Sequence, residues 1–207
     1  MNKTVLAVLG LLVGGLIILA LIAAGSYNRF VGLSQGVNQQ WAQVQTVYQR
    51  RADLIPNLVK TVEGAANFEK TTLNEITQAR ASVGQVNFGT APTNPEDLQK
   101  FQQAQDHLSS ALSRLLVVSE RYPELKANAN FQSLQSQIEG TENRISVERQ
   151  KFNDTVGQYN TAVQRFPGVI FAGLFHFQPK PFFTATEGAA TPPKVEFNFS
   201  PNANKPK

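Results

Sequence analysis

The stretch "VLAVLGLLVGGLIILALIAA", residues 5–24, carries no charge and no strongly polar group. A helix rises about 1.5 Å per residue, so this run reaches about 30 Å, the thickness of a bilayer's hydrocarbon core. It predicts a transmembrane anchor over residues 1–26. The competing reading is a cleaved signal peptide. Such peptides have apolar cores of about 7–15 residues before a small-residue site; "AAG" suits cleavage, but the run is long for it. The chain has no cysteine. That excludes lipoprotein processing at this point, disulfides, thiolate metal sites and cysteine nucleophiles. Lys3 precedes the run and Arg29 follows it, with no further charge before Arg50. The positive-inside rule then favours a cytoplasmic N-terminus and an extracytoplasmic bulk. Gly10 and Gly14 form a G-x-x-x-G that lets two such spans pack closely, although glycine is common in transmembrane helices generally.

Beyond the anchor, apolar residues recur at alternating steps of three and four, with single gaps at Ser34 and Arg51. Tyr27, Phe30, Val37, Trp41, Val44, Tyr48, Ile55, Leu58, Val62 and Ala65 make one stripe, the pattern of a long bundle helix over residues 27–63. The stripe keeps its phase across Pro56. Proline removes one backbone hydrogen bond and pushes on the turn before it, so a kinked but continuous helix is expected. Gly64 weakens the helix. A second helix should then end near Val86, facing inward with Leu73, Ile76, Ala79 or Arg80, Val83 and Val86; one very long bent helix is the alternative. Asn94, Pro95, Glu96 and Asp97 mark a sharp helix start. The third helix runs from there to about Tyr122, where Pro123 stops it. The fourth begins in "PELKANANF" and ends at "RFPG", with Ile138, Glu142, Ile145, Arg149, Phe152, Val156, Tyr159, Val163 and Phe166 on its stripe. The fold expected is all-α: an anchor, then an up-and-down four-helix bundle over residues 27–166 with long helices and an irregular tail.

Two of these stripes carry charge where core is expected. Arg51 lies on the first, Glu142 and Arg149 on the fourth. Buried charges are expensive unless paired. We expect Arg51 and Arg149 to pair with Glu142 or Glu148 as a polar layer fixing register, with Asp53 paired to a neighbouring helix. The competing reading is a catalytic or ligand-binding cluster, which would leave a pocket beside these residues. Little else resembles chemistry. Neither His107 nor His176 has a glutamate three residues before it, as bundle metal sites often require. No H-E-x-x-H, P-loop or G-x-S-x-G is present. Glu139 and Glu142 are one turn apart, a weak signal among exposed acids. "NDT" at Asn153 sits within a helix and is discounted as a glycosylation site. No cofactor or metal is expected. Net charge is +4, but the basic residues are scattered and leave no nucleic-acid footprint.

From residue 167 the character changes. Of the 14 phenylalanines, eight lie at 166, 171, 175, 177, 182, 183, 197 and 199. Residues 169–177 suit two helical turns, "PPKVEFNF" looks extended, and residues 200–207 read as a disordered end. If four helices alternate in direction, residues 167–199 return to the foot of the anchor. Phe171, Phe175, Phe177, Lys180 and Phe182 are then candidates for contact with the membrane interface. The alternative is that these rings only cap the bundle.

Several motifs occur in order behind the anchor: "RRADLIPNLV", "YPELKAN", "EGTENRISVERQKFND", "YNTAVQRFPG" and "PFFTATEGAATPPKVEF". Together they resemble the LemA family of bacterial membrane proteins over nearly the whole chain. The resemblance implies a single-pass protein with a four-helix bundle, with relatives in the magnetosome membrane system of magnetotactic bacteria. It carries no reaction, cofactor or catalytic residue. The functional expectation is a non-enzymatic scaffold or adaptor of the cell envelope. It would work by self-association and by contacts with lipid and unidentified envelope proteins. A membrane-remodelling protein and a ligand-binding or enzymatic module are the alternatives.

Overall fold

The computed structural model of the chain describes residues 3–64, 68–86 and 88–184. Ala65, the expected extended stretch near residue 195 with Phe197 and Phe199, and the expected disordered end at 200–207 lie outside the described residues. Among the described residues six helices follow in order: α1 (Lys3–Glu63), α2 (Lys70–Gln85), α3 (Pro95–Ser119), α4 (Pro123–Lys126), α5 (Ala129–Gln164) and α6 (Gly168–Leu174). Among the described residues there is no strand.

The apolar run and the first bundle helix are one element. α1 is unbroken over 61 residues, and the window that could cross a membrane has mean hydropathy 3.1 with none of it buried. Further along, Phe30, Val37, Trp41, Val44, Tyr48, Ile55, Leu58 and Val62 turn into the core, as their spacing requires. Tyr27 stays half-exposed at the top of this stripe. The helix passes through Pro56 and stops at Gly64, so α1 and α2 are separate helices rather than one bent one.

The later boundaries have local causes. The Asn94 side chain accepts from the Glu96 amide at the head of α3, with Pro95 in the first turn. α3 ends at Ser119, earlier than Tyr122, because Pro123 opens the separate short helix α4. Asn128 caps α5 through the Asn130 and Phe131 amides. α5 stops at Gln164, so Phe166 leaves the stripe on which the periodicity placed it and is 75% exposed.

The four long helices do not share one height. Trp41 Nε1 donates to the Phe88 carbonyl at 3.1 Å, which sets the α2–α3 loop beside the middle of α1. Below that level α1, α2, α3, α4 and α5 enclose one core around Leu58, Ile76, Leu108, Leu115 and Phe131. Above it, α1 and α5 run on together, and α6 with an extended strap at 177–184 takes the place of α2 and most of α3. The upper core gathers Phe30, Trp41, Phe101, Phe152, Phe171 and Phe183. His176, at φ 60°, reverses the chain from α6 into the strap. Gly168 is needed for the docking of α6: a Cβ there would lie 2.3 Å from the Ala162 carbonyl oxygen and 3.4 Å from the Phe30 ring.

Two asparagines hold the strap to α5. Asn160 exchanges two hydrogen bonds with the backbone of Lys180 (2.9 and 2.8 Å), and Asn153 does the same with Phe183 (3.0 and 2.9 Å). The periods match. Seven helical residues rise about 10.5 Å, and three extended residues span about 10 Å. Tyr159 donates to the Gln178 carbonyl and Gln102 to that of Thr184. Phe183 inserts among Trp41, Phe101 and Phe152, with centroids 6.1, 6.4 and 5.3 Å away. Trp41 itself meets Phe101 and Phe152 at 5.0 and 5.6 Å, so Phe183 completes one aromatic cluster drawn from α1, α3, α5 and the strap.

Candidate functional site

Arg51 stands between the two cores and is 1% exposed. Its Nη1 donates to Ser109 Oγ and Glu142 Oε1, both at 2.6 Å. Its Nη2 donates to the Gln105 carbonyl at 3.2 Å and to Gln105 Oε1. The guanidinium also lies 5.1 Å from the Tyr48 ring centroid. A planar five-donor group can make four hydrogen bonds to three residues on two helices at once, one more than the three donors of a lysine allow. Nε alone is buried without a partner. Glu142 remains 37% exposed at its side chain, so its carboxylate keeps part of its hydration and the pair escapes the full cost of burying two charges. Burial raises the pKa of Tyr48 above its ordinary 10.0, with the nearby Arg149 and Arg51 opposing.

The rest of the expected layer goes elsewhere. Asp53 faces solvent and accepts from Gln49 on its own helix at 2.8 Å, because it lies off the stripe. Glu148 accepts from Lys151 (2.8 Å) and Gln40 (2.7 Å) rather than from an arginine, and the Lys151 hydrogen bond first of all holds its pKa below the usual value. Arg149 stacks over Phe183 at 4.8 Å and donates to the Thr184 carbonyl at 3.0 Å; it binds the strap instead of an acid. Gln105 and Ser109, which the sequence reading missed, complete the set around Arg51. As uncharged residues on a polar-rich helix they give no signal before α3 is docked.

Pro56 has a counterpart. Without an N–H it cannot bond the carbonyl of Ala52, four residues earlier. That carbonyl instead accepts from Arg80 Nε of α2 at 3.1 Å. The proline therefore frees an acceptor that docks the second helix on the first.

The residues expected at the membrane interface face the protein for the most part. Phe171 and Lys180 are buried, and Phe175 and Phe177 pack edge-on to Tyr27 at 5.2 and 5.7 Å. Lys180 Nζ lies 5.4 Å from the Tyr159 ring, and burial lowers its pKa from 10.5. Phe182 is half-exposed but sits against Gly157. α5 at that level packs where Gly36 meets Thr155, about 18 Å along α1 from residue 24. Gly10 and Gly14 have nothing within 4 Å of an added Cβ, so that face of the span is uncovered.

Two open grooves flank the arginine. One, of about 980 Å³, runs between α1, α2 and α3 beside Tyr48, Ala52, Arg80 and Gln105. The other, of about 520 Å³, lies along α5 by Glu142, Arg149 and Thr184.

A helix long and apolar enough to cross a membrane, continued without a break into a helical bundle, fits a membrane-associated α-helical protein. The chain belongs to the LemA family, whose pattern matches residues 40–197. It is 24% identical over 183 residues to the magnetosome protein MamQ of Magnetospirillum gryphiswaldense, covering 80% of this chain and 67% of that protein. A magnetosome protein MamQ 2 of Paramagnetospirillum magneticum is 23% identical over 184 residues, with the same coverage. Protein LemA of Metamycoplasma hominis is 23% identical over 145 residues, 70% of this chain and 63% of that one. None of these names describes a catalytic activity.

Proposed function

We propose that the chain is a non-enzymatic, single-pass scaffold or adaptor of the bacterial envelope, with its bundle on the extracytoplasmic side. The observation that carries this reading is α1 itself, which continues from the apolar span into the core without interruption. Such a helix sets the height and orientation of the bundle on the membrane, which is what a scaffold requires. The charges of the middle layer are engaged inside the bundle: Arg51 by Ser109, Gln105 and Glu142, and Arg149 by the strap. Self-association through Gly10 and Gly14, and contacts with lipid and envelope proteins, follow from the same reading.

Because the chain has no cysteine, single cysteines report without background. A cysteine at Ser26 in whole cells should react with a membrane-impermeant thiol reagent. A single cysteine at Ile17, on the same helix face as Gly10 and Gly14, should give disulfide-linked dimers under oxidation, and Gly14→Leu should reduce them. Labelling only after lysis, or dimers indifferent to Gly14→Leu, would contradict the orientation or the packing face respectively.

The ligand-binding reading retains one observation, the groove beside Tyr48 and Gln105. Ala81→Trp fills that groove without touching the arginine layer. If the partners cross-linked by the full-length chain in its own membrane are unchanged, the scaffold reading stands; a lost partner would favour a ligand site. Membrane remodelling would show as vesicle deformation that grows with protein density.

A further inference from the structure

The phenylalanines nearest the span point inward, yet α6 has a second, exposed face. Phe171 and Ala172 fix its inner side in the upper core. On the opposite side Phe166, Val169, Ile170 and Leu174 are 75%, 47%, 59% and 65% exposed. At 100° per residue, Val169, Ile170 and Leu174 share one face of a helical turn and a half. Apolar side chains gathered in this way on a soluble surface mark an interaction site.

The height of this face says what covers it. Ala23 packs on the same core cluster as Phe171, Ala172 and Phe175, and Tyr27 touches the rings of Phe175 and Phe177. Ala23 belongs to the apolar run at 5–24. The exposed face of α6 therefore lies level with the end of the span and continues its apolar surface sideways. Arg165, exposed, directly precedes Phe166, and Arg29, also exposed, lies on α1 five residues beyond the apolar run. An apolar face with a cation beside it fits the headgroup–acyl boundary of a bilayer. We propose that α6 is a second, monotopic membrane contact, seated in the interface through Phe166, Val169, Ile170 and Leu174. This rests on the reading of residues 5–24 as a membrane span, but not on the scaffold role. It replaces the interface residues expected from sequence with the opposite face of the same helix. Two attachment points, one spanning and one lateral, fix the rotation of the bundle about α1 as well as its height.

The test uses the full chain in liposomes of mixed zwitterionic and anionic lipid. Single spin labels are placed on cysteines at Ile170, Leu174, Val117 and Leu16, all of them exposed in the isolated chain. Relaxation by oxygen, which concentrates in lipid, is compared with relaxation by a water-soluble nickel chelate. Labels at 170 and 174 should resemble the label at 16, with oxygen access high and nickel access low, while the label at 117 reports water. Nickel access at 170 and 174 equal to that at 117, with 16 in lipid, overturns the proposal alone. A label at 16 in water overturns it together with the span. Protection from both reagents that disappears at one copy per vesicle also overturns it, because the face would then be covered by a second copy.

Discussion

Arg51 is costly to bury and is retained because three residues meet it. Arg51→Ala removes the donors and leaves a cavity between the two cores, and should destabilise the chain by about 3–5 kcal/mol in denaturant unfolding. Replacing Arg51 by Met and Glu142 by Leu together is less damaging but not neutral. Gln105, 3% exposed, would keep a buried oxygen without its donor, a loss of about 1–3 kcal/mol. Adding Gln105→Leu should recover most of that. A double variant as stable as the natural chain would show that Gln105 is not part of the layer. The pairing of Arg51 with Glu142 was legible because both sit on apolar stripes, where a charge needs a partner. Arg149 sat on the same stripe and found a phenylalanine ring and a backbone carbonyl instead, groups that no charge pattern announces.

Titration adds a residue-scale expectation with a definite sign. Burial raises the pKa values of Tyr48 and Tyr159 above 10.0. In the unfolded chain both lose their protons near 10.0, so there the folded state holds more protons and stability falls as pH rises past that point. Lys180 acts oppositely. Its pKa is lowered from 10.5, so its charge is penalised in the fold and that penalty fades as pH rises through the lowered value toward 10.5. Tyr159→Phe should flatten the alkaline loss and Lys180→Met should steepen it, both read from urea midpoints between neutral pH and about pH 11.

At the scale of elements, the strap and the proline joint show what periodicity conveys and what it does not. The α1 stripe from Phe30 to Val62 was readable because a helix buries every third or fourth residue, and the head of α3 because Asn94 and Pro95 act locally. The strap was not. Its partners are side-chain amides of Asn153 and Asn160, spaced by seven, bonding to main-chain atoms that every sequence has. Asn160→Ala should cost about 1–3 kcal/mol for each Lys180 backbone group left unpaired, and Phe183→Ala about 3–5 kcal/mol. A surface strap would lose under 0.5 kcal/mol in either case. Pro56 and Arg80 form a coupled pair through the Ala52 carbonyl. Arg80→Ala should cost about 1 kcal/mol in the natural chain and much less in Pro56→Ala, whose restored N–H serves that carbonyl. Equal costs in both backgrounds would separate the two residues.

Across the whole molecule, short helices α2 and α3 leave the half nearer the span to α1, α5, α6 and the strap. Sequence spacing fixes which face of a helix is buried but not how high its neighbours rise or where it stops, so Phe166 fell on the α5 stripe by spacing yet lies beyond the helix end. The family relation to LemA and MamQ proteins and the apolar first third of α1 fit a membrane protein whose folded part stands directly on its anchor. The account depends most on α1 being one stiff element across the membrane boundary. Spin labels at Ile18 and Gln43 of the full chain in lipid nanodiscs lie on the same face, 25 residues apart, about 37 Å along an uninterrupted helix. Pulsed dipolar spectroscopy should give one narrow distance near that value. A broad or much shorter distribution would place a hinge between span and bundle and contradict the account.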